Sequence, residues 1–232
     1  MREMTNSPLV CYTKLSPNHS GLRTHGIDRI TPHCVVGQLS CESICDCFPK
    51  ERRASCNYGI GSDGRVSLCV EEKNRSWCSS SNANDQRAVT IECASDRTAP
   101  YAVNENVLKS LIELCVDICK RNGKTKLLWI GDKDKTLSYE PKPNEMVITV
   151  HRWFAYTACP GEYLMSKMAW IAEEVNKRLK GSERVKIRYK GKELEVEGKN
   201  ENGTVYVKAR ELLMKMGFSV SWDNESKTVV VS

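Results

Sequence analysis

Two stretches of the chain repeat apolar residues at helical spacing. Across 104–123, Val107, Leu108, Leu111, Ile112, Cys115, Ile118 and Cys119 recur three and four apart, the stripe of an amphipathic helix. Asn104 precedes the run as an N-cap and Gly123 follows it as a stop. Across 161–179, Leu164, Met168, Ile171, Ala172, Val175 and Leu179 form a second stripe, ending before Gly181. Shorter apolar or alternating runs predict strands near 28–34, 56–61, 65–70, 87–94, 126–130 and 146–151. Strands interspersed with helices predict an α/β domain with a central mixed β-sheet flanked by helices. Pro32 conflicts with a strand interior, because proline cannot donate to a ladder; it suits the end of the strand. Residues 1–26 are polar and turn-rich, and are expected to wrap the domain surface.

The pattern changes near Lys180. Residues 181–184 read as a linker. In 185–232, strand-like alternation (Val185–Tyr189, Leu194–Val196, Gly203–Val207, Ser219–Val231) surrounds a helix at Ala209–Gly217. The expected organisation is a domain over 1–180, with its core in 25–180, and a small α+β domain over 185–232. About fifty residues enclose a small core, so docking or self-association would help this module stay folded.

Composition narrows the class. A chain of 232 residues suffices for one full domain and a small second one. The net charge of +6 suits an anionic partner surface. Nucleic acid is not expected, because three Phe and scattered aromatics offer no stacking platform. No apolar run is long enough to span a membrane, and Met1–Val10 holds no apolar signal-peptide core. Twelve cysteines without a secretion signal point to a reducing cytosol. Cys41, Cys45 and Cys47 match no common zinc spacing and are read as free thiols. Cys115 and Cys119 lie on the apolar stripe and are read as small hydrophobes.

The chemistry concentrates around Val147–His151 and the following segment to Cys159-Pro160-Gly161. An imidazole at a strand end and a thiol at a helix N-terminus, where the dipole favours a thiolate, make most of a zinc site. Of the remaining histidines, His19 and His25 sit in polar stretches and read as solvated. His33 closes Ile30-Thr31-Pro32-His33, the counterpart of the strand ending at His151. A His2Cys set leaves zinc one open position, the pattern of catalytic sites. Glu92 lies inside the apolar run Ala88–Ala94. It is either an edge-strand residue facing solvent or a general base facing a polar cavity, because burying it unpaired is expensive. Trp77, set among Ser and Asn in 74–84, either contacts a sugar or peptide or packs the loop down. Trp153 and Tyr156 line the cleft or pack beneath it.

On these residues, 25–180 resembles a zinc-dependent N-acetylmuramoyl-L-alanine amidase of the type-2 family, which includes the peptidoglycan recognition proteins. His33, His151 and Cys159 match the family's ligands, implying one zinc per chain, and Glu92 matches its acidic catalytic residue. Cys56–Val66 resembles the family's strand, Asp-Gly turn and strand; Asn57 and Tyr58 within it, with Trp77 and Trp153, are the expected substrate contacts. Two positions depart from the family: Cys56 replaces a catalytic Tyr of some relatives, and Thr157 replaces a Lys. Thr157 retains a hydroxyl that can donate to an oxyanion. The resemblance implies cleavage of the bond between N-acetylmuramic acid and L-alanine in bacterial peptidoglycan. Without a signal peptide, the expectation is a phage or prophage endolysin made in the cytoplasm and released to the wall by a holin-type partner. The alternatives are a non-catalytic peptidoglycan-binding protein and an autolysin of the same chemistry. Residues 184–232 resemble the module shared with the N-terminal domain of copper amine oxidases. Binding a wall polymer and self-association are its two expected roles.

Overall fold

Continuous apolar runs, rather than alternating ones, form the strands at the centre of this protein, because parallel strands there are covered on both faces. The computed structural model describes residues 5–180 and 183–232, which divide into two compact units, Met1–Leu179 and Lys180–Ser232. In chain order the strands of the larger unit are β1 (Val10–Thr13), β2 (His19–Leu22), β3 (Arg29–Cys34), β4 (Tyr58–Ile60), β5 (Val66–Leu68), β6 (Asn74–Ser76), β7 (Ala88–Cys93), β8 (Lys126–Leu128) and β9 (Glu145–Ile148). Its helices are α1 (Cys41–Asp46), α2 (Asn82–Arg87), α3 (Glu105–Arg121), α4 (Lys133–Ser138) and α5 (Gly161–Leu179). Seven strands form one sheet in the order β1-β5-β4-β7-β3-β9-β8. Only the β4–β5 pair is antiparallel. β2 and β6 make a separate antiparallel pair. The architecture is the expected mixed sheet with flanking helices.

Register assigns the two faces. His33 pairs with Glu92 across β3 and β7, and Gly59 of β4 pairs with the same Glu92, so all three share a face. α1 covers that face at Gly59, where an added Cβ would lie 2.6 Å from Ile44 Cγ2. The opposite face carries Val89, Ile91 and Cys93 into the core with the apolar stripes of α3 and α5. Cys115 and Cys119 are fully buried in that stripe.

Several boundaries differ from expectation. Residues 1–26 contain β1, an edge strand of the main sheet, and β2. The 74–84 loop contains β6 and the start of α2. The strand expected to reach His151 stops at Ile148, and His151 opens a 3-10 turn, His151–Trp153. Pro32 is accommodated at the centre of the sheet. Ile30 faces β9, since its carbonyl accepts from Thr149, and Pro32 faces the same way. Pairing with β9 covers only Arg29 and Ile30, so no ladder bond is missing at Pro32.

Asn57 and Tyr58 are corrected here: both are fully buried and present no surface to a substrate. The Asn57 amide donates to the Val70 carbonyl at 3.1 Å and accepts from Arg23 Nη2 at 3.0 Å and the Thr90 N–H at 3.1 Å. The Tyr58 hydroxyl donates to Glu72 at 2.5 Å and accepts from the Ser7 N–H. Glu72, 1% exposed, also receives Arg121 through two nitrogens, at 2.5 and 3.0 Å. Removing Glu72 leaves Arg121 with the Asp117 carboxylate, at 2.8 Å, as its remaining charge partner, and strips the buried Tyr58 hydroxyl of its acceptor. Glu72→Ala should therefore destabilise the unit by about 3 kcal/mol, read by urea denaturation. A loss below about 0.5 kcal/mol, the scale of a surface pair, would show that Arg121 is solvated.

The smaller unit holds a three-stranded antiparallel sheet, β10 (Glu183–Tyr189), β11 (Lys192–Glu201) and β12 (Thr204–Val207), then α6 (Ala209–Lys215) and a hairpin, β13 (Val220–Asp223) and β14 (Thr228–Val231). Of the expected linker 181–184, residues 181 and 182 lie outside the described residues, and β10 begins at Glu183. Among the described hydrophobics of this unit only Val196 is fully buried, while Tyr206, Met214, Phe218 and Trp222 are exposed. No described helix is long and apolar enough to cross a membrane.

Candidate functional site

Three donor residues converge at one end of the sheet. His33 leaves the end of β3, His151 lies in the turn after β9, and Cys159 precedes α5. One donor atom from each lies within 4.8 Å of the others. The Cys159 sulfur is 3.3 Å from His33 Nδ1, and the two imidazole centroids are 5.0 Å apart.

The surrounding chain holds this spacing. Thr31 and Thr149, each two residues before a histidine, join through their hydroxyls at 2.7 Å. Asn84 of α2 bridges both, donating to Thr31 at 3.1 Å and accepting from Thr149 at 3.0 Å. Arg152 ties the histidine turn to the cysteine turn. Its side chain donates to the Ala158 carbonyl and to Glu162, and its backbone N–H donates to the Cys159 carbonyl. Thr157 Oγ1 accepts from the Cys159 N–H at 3.2 Å, so this hydroxyl shapes the ligand turn. Gly161 has φ +84°, and a Cβ there would meet Pro100 O and Tyr101 Cβ, each at 2.8 Å. Glycine lets this turn dock closely.

Burial sets the protonation states. It lowers His33 to about 3, with His151 adding to the effect, and it lowers His151 too. Both imidazoles are therefore neutral near pH 7, the form that ligates a metal. His33 Nε2 is buried without a hydrogen-bond partner. Without a cation, the hydrogen bond with Cys34, burial and the Glu92 charge push the Cys159 thiol up. A nearby cation reverses that balance. Two neutral imidazoles and a thiol form a borderline-soft donor set that suits zinc, so the residues present fit this metal.

Glu92 stands beside His33 in register, and its Oε2 is buried without a partner. Burial pushes its carboxyl up to about 7, against the pull of Arg52 and Cys78. The Cys78 sulfur lies 3.8 Å from Glu92 Oε1. Donor atoms of His33, Cys78 and Glu92 also fall within 4.8 Å of one another.

The sequence-based reading places the loop 74–84 around the site but gives Cys78 and its supports no role there. The Cys78 and Ser79 N–H groups both donate to Asp85, Ser79 Oγ accepts from Asn84, and Ser80 Oγ lies 3.3 Å from His151 Nε2. Ser81, the N-cap of α2, is the one legible signal; six residues are too few to show a helical stripe. Trp77 and Trp153 are engaged elsewhere. The Trp77 indole N–H donates to Ser20 at 2.6 Å, which packs the loop down. Trp153 stacks on Trp129, with planes 6° apart and centroids at 5.3 Å, so that face is closed to a substrate. Tyr156, between the ligands, is fully exposed.

A family model for N-acetylmuramoyl-L-alanine amidases matches residues 23–162, more than half of the chain, and the chain belongs to that family. The fold is similar to a selenomethionine derivative of AmpD, with 14% identity over 77% of this chain and 98% of that one and a TM-score of 0.51. It is also similar to the hydrolase AmiA of Staphylococcus aureus in complex with its ligand, with 13% identity over 75% and 84% of the two chains and a TM-score of 0.50. The endolysin of Thermus scotoductus MAT2119 bacteriophage Ph2119 is 17% identical over 70% of this chain and 99% of its own, with a TM-score of 0.47. No curated protein sequence is significantly similar to the chain.

Proposed function

We propose that this protein is a zinc-dependent N-acetylmuramoyl-L-alanine amidase acting on bacterial peptidoglycan. The observation that carries this reading is the convergence of His33, His151 and Cys159 with Glu92 beside them in register. Zinc, held by those three residues, supplies Lewis acidity toward a carbonyl and makes water acidic near neutral pH. Glu92 takes the proton of the attacking water and returns it to the leaving amide nitrogen. The Thr31–Thr149–Asn84 network holds the two histidine-bearing segments at fixed spacing, and Arg152 holds Cys159 against them. Thr157, oriented by the same turn, is the nearby hydroxyl for the developing oxyanion.

The phage or prophage endolysin setting is part of the proposal. All twelve cysteines are free thiols, which suits synthesis in a reducing cytosol and later release to the wall. For the smaller unit we propose attachment to a wall polymer, supported by its exposed aromatics and the net positive charge; self-association is the alternative. Digestion of purified walls, with mass spectrometry of the products, tests the reaction. Free N-terminal L-alanine on released stem peptides is the expected result, and intact lactyl-alanine bonds would exclude the amidase reading. A chain ending at Lys180 should keep its activity on soluble muropeptides. On intact walls it should lose roughly 10²-fold, because a second attachment raises local substrate concentration. Unchanged wall activity together with a halved molecular mass in light scattering would assign self-association instead.

A further inference from the structure

Cys45 of α1 and Cys69, just after β5, bring their sulfurs to 2.7 Å, closer than two unbonded sulfurs normally approach. α1 packs across β4 and β5 with Ile44 over Gly59, so the helix and strand hold the pair together. Both residues are buried, at 4% and 0% exposure. Among the described residues neither belongs to a set of three donors close enough to share a metal ion. Two sulfurs without further ligands fit covalent rather than coordination chemistry. A surface cavity of about 140 Å³, lined by Lys14, Pro17, Cys45 and Phe48 among others, reaches the Cys45 side. At roughly 30 Å³ per water molecule, it admits a small oxidant but not a folded protein partner.

We propose that Cys45 and Cys69 are a redox pair that closes to a disulfide when the protein meets hydrogen peroxide. Peroxide oxidises the Cys45 thiol to a sulfenic acid, releasing one water. The Cys69 sulfur then displaces the sulfenic oxygen, which leaves as a second water. Two thiols lose two hydrogens and two electrons, and one peroxide is reduced to two waters. The hydrogen bond to Cys69 and burial keep the Cys45 thiol protonated, so the reaction is slow and its product is hidden from external thiols. The bond ties α1 to the end of β5 across a separation of 24 residues, and restricts the unfolded chain accordingly. Neither sulfur belongs to the His33, His151, Cys159 set, so the bridge leaves that donor set complete.

The test uses the full-length chain, treated with excess hydrogen peroxide, alkylated in denaturant and digested without reductant. Trypsin cuts after Arg65 and Lys73, leaving Cys69 as the sole cysteine of its peptide. Cleavage after Glu42 and before Asp46 separates Cys45 from Cys34, Cys41 and Cys47. The expected product is a Cys45–Cys69 peptide pair two hydrogens lighter than its free parts. Peroxide should also raise the Tm by about 5 °C or more, a gain that Cys69→Ala abolishes. If that variant does not fold, Cys45→Ser replaces it, and the wild-type peptide map decides on its own. Recovery of Cys45 and Cys69 as alkylated thiols would overturn the proposal. So would a bridge from Cys69 to Cys56, its other neighbouring thiol.

Discussion

Glu92→Gln should lower turnover by roughly 10²–10⁴-fold, the range for loss of a general acid–base group, and leave the zinc content unchanged. The substitution preserves size and removes the ability to accept a proton. The pH dependence carries its own sign. As a base, Glu92 works deprotonated, so the wild-type rate falls as pH drops below its pKa. That pKa is about 7 without a cation and lower once a metal ion sits nearby. The variant should lose this acid limb. Stability moves the other way. A carboxyl whose folded pKa exceeds its unfolded value favours the fold fully below about 4.5, and that contribution is lost as pH rises through about 7. Metal-free Glu92→Gln should therefore be more stable than the metal-free wild type at pH 8, by on the order of 1–3 kcal/mol. Loss of zinc in the variant would make Glu92 a ligand, and wild-type turnover would make it structural.

Loss of zinc and activity together is expected for His33→Ala and Cys159→Ala, measured by metal analysis alongside muropeptide hydrolysis. Each removes one of three protein ligands. The effect should exceed the roughly 10–100-fold typical of an outer-shell partner. Asn84→Ala supplies that comparison, because it touches no donor and breaks the link between Thr31 and Thr149. It should weaken zinc binding within the outer-shell range. Equal affinity in Asn84→Ala and wild type would mean that backbone pairing alone sets the histidine spacing. Full activity in Cys159→Ala would remove the site assignment altogether.

The long elements and the convergent residue types were legible in the chain itself. A stripe such as Val107 to Cys119 records local periodicity, and its caps lie within a few residues of it. His33, His151, Cys159 and Glu92 stood out for a similar reason: polar, reactive side chains at a strand end, at a helix N-terminus or inside an apolar run point to a site that uses them. What lay beyond reading was whatever depends on register and on partners distant in sequence. Asn57 and Tyr58 lie in a segment that resembles the family's strand and turn, yet the fold turns them toward Arg23, Thr90 and Glu72, and they became buried connectors. Cys78 lies in a Ser-rich loop, and its neighbours in sequence show no role for it. It faces Glu92 because Asp85 and Asn84, on a helix too short to announce itself, fold that loop back. The surroundings of Cys159 were illegible for the same reason. A helix end is visible in sequence, whereas the burial and the Cys34 neighbour that push the thiol up exist only once the strands have paired. Spacing along the chain determined which groups are able to react. Only the tertiary structure decided which of them meet, because hydrogen bonds and desolvation act through distances that the folded sheet alone creates.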